Sequence, residues 1–134
     1  MAGLIKRLLG RLFPPAAHDS NRTLGRRGEA LTARYLRRHG YRLLARNLRA
    51  GGVEVDLVAL DGPTLVFIEV KARRSMAAGA PQEAVDWRKQ RRLRQAAAAF
   101  ARTRSLSHRP IRFDVVAIDA RGRRWGLEVI KDAF

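Results

Sequence analysis

Asp56 and, thirteen positions later, Glu69 are the residues whose type and spacing best suit chemistry, and Lys71 follows two positions after the second. They lie in GGVEVDLVALDGPTLVFIEVKARR, Gly51 to Arg74. This segment gathers four of the chain's twelve acidic residues and has only Lys71 as a basic residue before Arg73, although the formal net charge of the chain is +16. Two alternating runs flank Asp61-Gly62-Pro63, a pattern that reads as a β-hairpin. With a two-residue loop at Gly62-Pro63, Asp61 opposes Thr64 and cross-strand partners have numbers summing to 125, so Asp56 faces Glu69 and Glu54 faces Lys71. A four-residue loop gives the same register, whereas an odd loop or a bulge breaks it.

Alternation sorts Val53, Val55, Leu57, Ala59, Val66, Ile68, Val70 and Ala72 onto one apolar face that must be packed. The other face is apolar near the turn, with Val58, Leu60, Leu65 and Phe67. It is charged at the open end, with Glu54, Asp56, Glu69 and Lys71. The acids therefore sit at the margin of a buried surface. Directly opposed side chains are about 5 Å apart at Cβ, and two carboxylates at that distance repel by roughly 3 kcal/mol in an effective dielectric of about 20. A shared proton that raises one pKa, a counter-charge from Lys71 or a nearby arginine, or a divalent metal bound by hard carboxylate oxygens would each offset the repulsion. A salt-bridged surface patch is the reading that needs no chemistry. With no cysteine, and with His18, His39 and His108 poorly spaced, a dedicated zinc site is disfavoured and the histidines read as solvated or structural. Lys71 stands out in a chain that uses arginine at 24 of its 28 basic positions. Its compact ammonium suits orienting an attacking water or neutralising a pentavalent phosphate.

The segments GRRGEALTARYLRRHGYRLLARNLR, GVEVDLVA, LVFIEVKAR, AVDWRKQRRL and RFDVVAID, in this order and spacing, resemble the bacterial YraN-like family of uncharacterised proteins. That family is similar to archaeal Holliday junction resolvases and other PD-(D/E)xK, restriction-endonuclease-like enzymes. The resemblance covers about residues 23 to 119. It implies that Asp56 and Glu69 are metal ligands with the Val70 backbone carbonyl as a third, that Lys71 is the catalytic lysine, and that Mg²⁺ or Mn²⁺ is the cofactor. It also implies that Glu29, borne on the first helix, points toward the same metal; a first-turn glutamate favoured by the helix dipole is the other reading. Glu54 matches the glutamate of the family's GE-I-D element, with Val53 in place of the usual glycine. Arg73 and Lys89 match basic family positions. Lys89 lies four residues from both Val85 and Leu93, so it emerges from an inward helix face and either reaches the site or snorkels at the core edge. Resolvase-like enzymes are often dimers, which makes a homodimer an expectation. Asp114 in RFDVV reads better as a cap or an arginine partner than as a catalytic group, and Trp87 and Trp125 read as packing before base stacking.

These residues need elements to position them. Leu24, Leu31, Tyr35 and Leu36 share one helical face between Thr23 and His39, and Gly40 stops that helix. The strand YRLLARNLRA, a Gly51-Gly52 turn and the hairpin follow. A second helix is expected from Pro81 to about Arg104 with Val85, Leu93, Ala96, Ala97 and Phe100 inward. Ile111 to Asp119 and Trp125 to Ile130 read as two further strands. The expected fold is α/β, restriction-endonuclease-like, in the order αβββαββ: one domain over residues 23–134 with a mixed central sheet flanked by helices. Residues 1–22 are expected to be a basic amphipathic tail, with Leu4, Ile5, Leu8, Leu9, Leu12 and Phe13 at helical spacing.

Twenty-eight basic residues against twelve acidic ones are the footprint of a nucleic-acid binder. The eight arginines of residues 25–50 and the ten basic residues of 73–110 form a rim around the acidic centre. Within it Arg26, Arg27, Arg73, Arg74, Arg88 and Arg92 are the expected phosphate contacts. No apolar run approaches the ~20 residues of a membrane span, no cleaved secretory signal is recognisable, and a cytoplasmic location is the default for a chain without cysteine. The expected function is metal-dependent hydrolysis of DNA phosphodiesters, and the family resemblance adds branched or flapped DNA as the implied substrate class. One alternative is a nucleic-acid-binding protein on the same fold that does not cut. Another is an interaction protein that uses its N-terminal segment at a membrane or partner surface.

Overall fold

The computed structural model describes residues 3–8, 21–75 and 79–134. Its elements in chain order are β1 (Gly3–Leu8), α1 (Asn21–Arg38), β2 (Arg42–Ala50), β3 (Val53–Asp61), β4 (Thr64–Arg73), α2 (Trp87–Thr103), β5 (Ile111–Asp119) and β6 (Gly126–Lys131). After β1 the order is the expected αβββαββ. The strands form one mixed sheet in the order β1-β6-β5-β4-β3-β2, with β4 and β5 parallel and every other pair antiparallel. Gly62, at φ +57°, turns the hairpin, and the pairs Asp61↔Thr64 through Leu57↔Ile68 keep the expected register.

Both faces of the sheet are covered, as the apolar hairpin required. On one side α1 buries Leu24, Leu31, Tyr35 and Leu36 against Leu57, Ala59, Val66, Ile68, Val70 and Val116. On the other, α2 buries Leu93, Ala96, Ala97 and Phe100 against Val58, Leu65, Phe67 and Phe113. Gly28 sets how closely α1 approaches, since a Cβ there would lie 3.0 Å from Ala72 Cβ and 3.5 Å from Val70 Cγ1. At the turn end of the hairpin a second charged network locks β5. Arg112 grips the buried Asp114 through Nε (2.9 Å to Oδ1) and Nη2 (3.0 Å to Oδ2), and Nη2 also reaches Asp61 at 2.9 Å. Asp114 accepts the Asp132 N–H as well (3.0 Å), so it is a structural ion-pair partner, as read from its sequence neighbours. Burial alone would lower the Arg112 pKa, but the hydrogen bonds and charge of Asp114, then Asp61, carry it above the ordinary range.

Three expectations are corrected. First, Gly3–Leu8 is a strand paired antiparallel to β6 (Gly3↔Lys131 to Leu8↔Gly126), not part of a helical tail. Isolated helices shorter than about 12 residues are marginal, whereas an open sheet edge offers unpaired backbone groups to bond; the rest of the amphipathic run, with Leu9, Leu12 and Phe13, lies outside the described residues. Second, α2 begins at Trp87, and Pro81–Ala84 forms a separate 3₁₀ turn. Asp86 is the N-cap, in extended conformation (φ −71°, ψ 171°), and its carboxylate accepts the Lys89 N–H at 2.9 Å. Third, Val53 and Val55 pack with the α2-side core, not with Leu57 on the α1 side. Opposite Asp56 lies Asn47, held at φ +50°, between the pairs Arg46↔Leu57 and Leu48↔Val55. Both strands reverse their facing at that pair, and strict alternation cannot reveal such a reversal.

Candidate active site

The reversal at Asn47 and Asp56 builds the site. Beyond Leu57↔Ile68 the hairpin ladder gives way, and the Val70 N–H donates to the Asp56 carboxylate (Oδ2, 2.8 Å). Asp56 is thereby anchored to the strand that carries Glu69 and Lys71. The Glu69 side chain, only 4% exposed, lies among the α2-side positions of β4, where Lys89 Nζ donates to its Oε2 at 2.6 Å. Lys89 reaches it because the Asp86 cap places that lysine in the first turn of α2, facing the sheet. The counter-charge anticipated from Lys71 is supplied by Lys89.

The other Glu69 oxygen, Oε1, is buried and has no hydrogen-bond partner among the described residues. An unpaired buried carboxylate oxygen is costly. Asp56 responds to the same surroundings. Burial first, then the negative charge of Glu69, pushes its carboxyl up to about 7, against the lowering effect of the Val70 hydrogen bond. Lys89 offsets the charge of Glu69, and the raised pKa of Asp56 favours its protonated form.

Glu29 approaches from α1. Burial, followed by the charge of Glu54, raises its pKa, and Glu69 adds to the rise. Asn47 links the two glutamates: with its amide nitrogen turned toward them, it donates to Glu29 Oε2 at 3.2 Å and to Glu54 Oε1 at 3.3 Å. Glu54 does not face Lys71, as expected from simple pairing; it opposes Arg49 on β2, with Nη2 to Oε2 at 3.6 Å. A cleft of about 470 Å³ opens beside this group, lined by Arg22, Arg26, Glu29, Asn47, Arg49 and Glu54 among others. Asn47 was missed in the sequence; its one signal is that asparagine tolerates the left-handed backbone better than other non-glycine residues.

Lys71 is half-buried two residues beyond Glu69, opposite Ala117 of β5, and its ammonium makes no hydrogen bond or ion pair with another described residue. The expected phosphate contacts are distributed unevenly. Arg26 and Arg92 are exposed, Arg27 is half-buried, and Arg74 is exposed just past β4. Arg73 is turned to the Gly79 carbonyl (2.6 Å), and the Arg88 guanidinium lies 5.3 Å from the centre of the Trp87 ring. Of the tryptophans, Trp125 packs as expected at 5% exposure, whereas Trp87 stands 65% exposed. His39 is structural: it stacks on Tyr35 with ring centres 3.9 Å apart, and its Nδ1 contacts the Tyr35 carbonyl at 2.8 Å.

Among the described residues no group of three or more histidine or acidic side chains is gathered tightly enough to cage a metal, and no helix is long and apolar enough to cross a membrane. The donor chemistry nonetheless suits a hard divalent cation: two carboxylates from adjacent strands, one of them with an unsatisfied buried oxygen, and no sulfur or imidazole ligand.

The fold and site define a single-domain α/β protein with a half-buried acidic centre on a mixed sheet and basic helices around it. Residues 28–118 match the Uncharacterised protein family UPF0102, and the chain belongs to that family. It is 49% identical over 117 residues to a UPF0102 protein of Moorella thermoacetica, covering 86% of this chain and 98% of the relative. It is also 48% identical over 122 residues to one from Chlorobium chlorochromatii, covering 87% and 94%, and 51% identical over 98 residues to one from Geobacter sulfurreducens, covering 73% and 77%.

Proposed function

We propose that this protein is a divalent-cation-dependent nuclease that hydrolyses DNA phosphodiester bonds, with branched or flapped DNA as its substrate class. The observation that carries this reading is the buried, unpartnered Glu69 Oε1 beside a carboxyl held near neutrality, Asp56. Such an arrangement is costly to keep unless something binds there. Asp56, Glu69 and the Val70 carbonyl would hold Mg²⁺ or Mn²⁺, and the chemistry that ion supplies is Lewis acidity toward a phosphoryl oxygen and toward water.

The side chains account for the remaining work. Asp56 is tied to the Val70 N–H, which holds its carboxylate against the strand that carries Glu69. Lys71, without a partner among the described residues, orients the attacking water and offsets charge growing on the phosphate. Glu29, braced by Asn47 next to Glu54, adds negative charge at the edge of the site. Arg26, Arg74 and Arg92 engage flanking phosphates, so affinity falls steeply with salt.

The test incubates purified protein with linear, flapped and four-way DNA plus Mn²⁺, beside Asp56→Ala and Lys71→Ala. Cleavage by the wild type that both variants lose supports the reading; equal cleavage by all three assigns the activity to a contaminant and removes it. One observation favours a second reading, a nucleic-acid-binding protein that does not cut: Lys89 already neutralises Glu69 at 2.6 Å. That reading predicts salt-sensitive DNA binding with no Mn²⁺-dependent turnover of any substrate.

A further inference from the structure

Trp87 is one of two large hydrophobic side chains exposed among the described residues, at 65% against 39% for Ile111. An exposed apolar residue needs no explanation when it stands alone. Trp87 does not. It is the first residue of α2, in a backbone position fixed by the Asp86 cap, and the Arg88 guanidinium sits 5.3 Å from its ring centre. Two residues on, Lys89 turns from the opposite side of the helix to touch Glu69, so Trp87 looks outward from the sheet. Arg88, Arg91 and Arg92 are exposed on the same helix. The outer face of the first turns of α2 therefore offers a flat aromatic face beside cations.

We propose that Trp87 is a stacking platform for an unpaired base on the outer face of α2, the helix whose Lys89 reaches the acidic site; this rests on the nucleic-acid reading above. A base offers a π-face of matching size, and its flanking phosphates are complementary to Arg88, Arg91 and Arg92. In an intact duplex both faces of each internal base are already stacked. The platform thus selects single-stranded, flapped or junction DNA over blunt duplex, a selectivity that backbone-directed arginines alone do not supply.

The two tryptophans make the test specific, because Trp125 is buried at 5% exposure and Trp87 is not. Wild type, Trp87→Phe and Trp87→Ala are titrated in EDTA, which prevents cleavage, with single-stranded, flapped and blunt duplex oligonucleotides. Tryptophan emission is followed in parallel with the anisotropy of labelled DNA. DNA with unpaired bases should quench the wild-type emission and leave that of Trp87→Phe unchanged. Trp87→Ala should bind single-stranded and flapped DNA about tenfold more weakly and blunt duplex within about twofold, with Trp87→Phe recovering part of the loss and the salt dependence unaltered. Binding by anisotropy without quenching, or an equal loss on all DNAs, overturns the platform and leaves the nucleic-acid reading standing. No binding of any oligonucleotide by the wild type overturns both.

Discussion

The Asp56 carboxylate takes a hydrogen bond from the Val70 N–H at 2.8 Å, where the strand ladder of the hairpin gives way. One side chain thus replaces a backbone partner and holds an acid against the strand that bears Glu69 and Lys71. The acidic centre is part of the sheet's architecture, and disturbing it has consequences for stability as well as chemistry.

The first consequence concerns pH. In the folded chain the Asp56 carboxyl is held up to about 7, whereas an unfolded aspartate ionises near ~4. Between these values the folded state binds a proton that the unfolded state has lost, so this contribution to stability is fully present below about 4 and is lost as pH rises through about 7. Asp56→Asn keeps an acceptor for Val70 and removes the titration. In EDTA, urea unfolding should show the wild type losing ~2–4 kcal/mol relative to Asp56→Asn between about pH 4 and 8. Parallel pH profiles would contradict it.

Lys89 is the counter-ion of a carboxylate that is 96% buried by side chain, while the lysine itself is 32% exposed. Removing one partner of a buried pair costs about 3–5 kcal/mol, and the partial exposure of Lys89 discounts that to about 2. Lys89→Met should therefore melt well below wild type in EDTA. Mn²⁺ should raise its melting temperature more than that of the wild type, because the cation replaces the lost charge. Equal metal shifts in the two proteins would separate Lys89 from the metal site.

Two glycines of α1 should respond in opposite directions to alanine. Gly25 has open space where a Cβ would go, so Gly25→Ala gains helix propensity of about 1 kcal/mol. Gly28→Ala gains the same propensity but meets Ala72 at 3.0 Å, and overpacking of this kind costs about 1–3 kcal/mol. Thermal melts should rank Gly25→Ala above wild type and Gly28→Ala below it. Gly28→Ala should also weaken any activity that depends on Glu29, since α1 is forced away from β4.

The Arg112 network predicts stability without function. Arg112→Met leaves Asp114, 1% exposed, as an unpaired buried charge and should cost about 3–5 kcal/mol. Mn²⁺ affinity, measured where the variant is folded, should stay within twofold of wild type because the network lies at the opposite end of the hairpin.

Much of this arrangement was legible in the residues. Gly62-Pro63 specified the register from Asp61↔Thr64 to Leu57↔Ile68, and Lys89, four residues before the buried Leu93 on α2, turns toward the sheet. The legibility ended at Asn47 and Asp56, where both strands reverse facing. Val53 and Val55 consequently pack against α2, and Glu54 turns to Arg49 instead of Lys71. A single left-handed residue leaves almost no trace in a hydrophobic pattern. The start of α2 shifted for a similar reason: Pro81 suits a first helical turn, but the carboxylate of Asp86 caps the helix itself. The pairing of Gly3–Leu8 with β6 depends on a partner more than a hundred residues away, which local periodicity does not encode.

On the proposed reading, Asp56 and Glu69 share one divalent cation. Calorimetric titration of Mn²⁺ into the DNA-free protein, with Asp56→Asn and Glu69→Gln alongside, measures it directly. One Mn²⁺ per wild-type chain and at least a tenfold loss of affinity in each variant are expected; no binding by the wild type, or binding that both variants retain unchanged, would overturn that sharing.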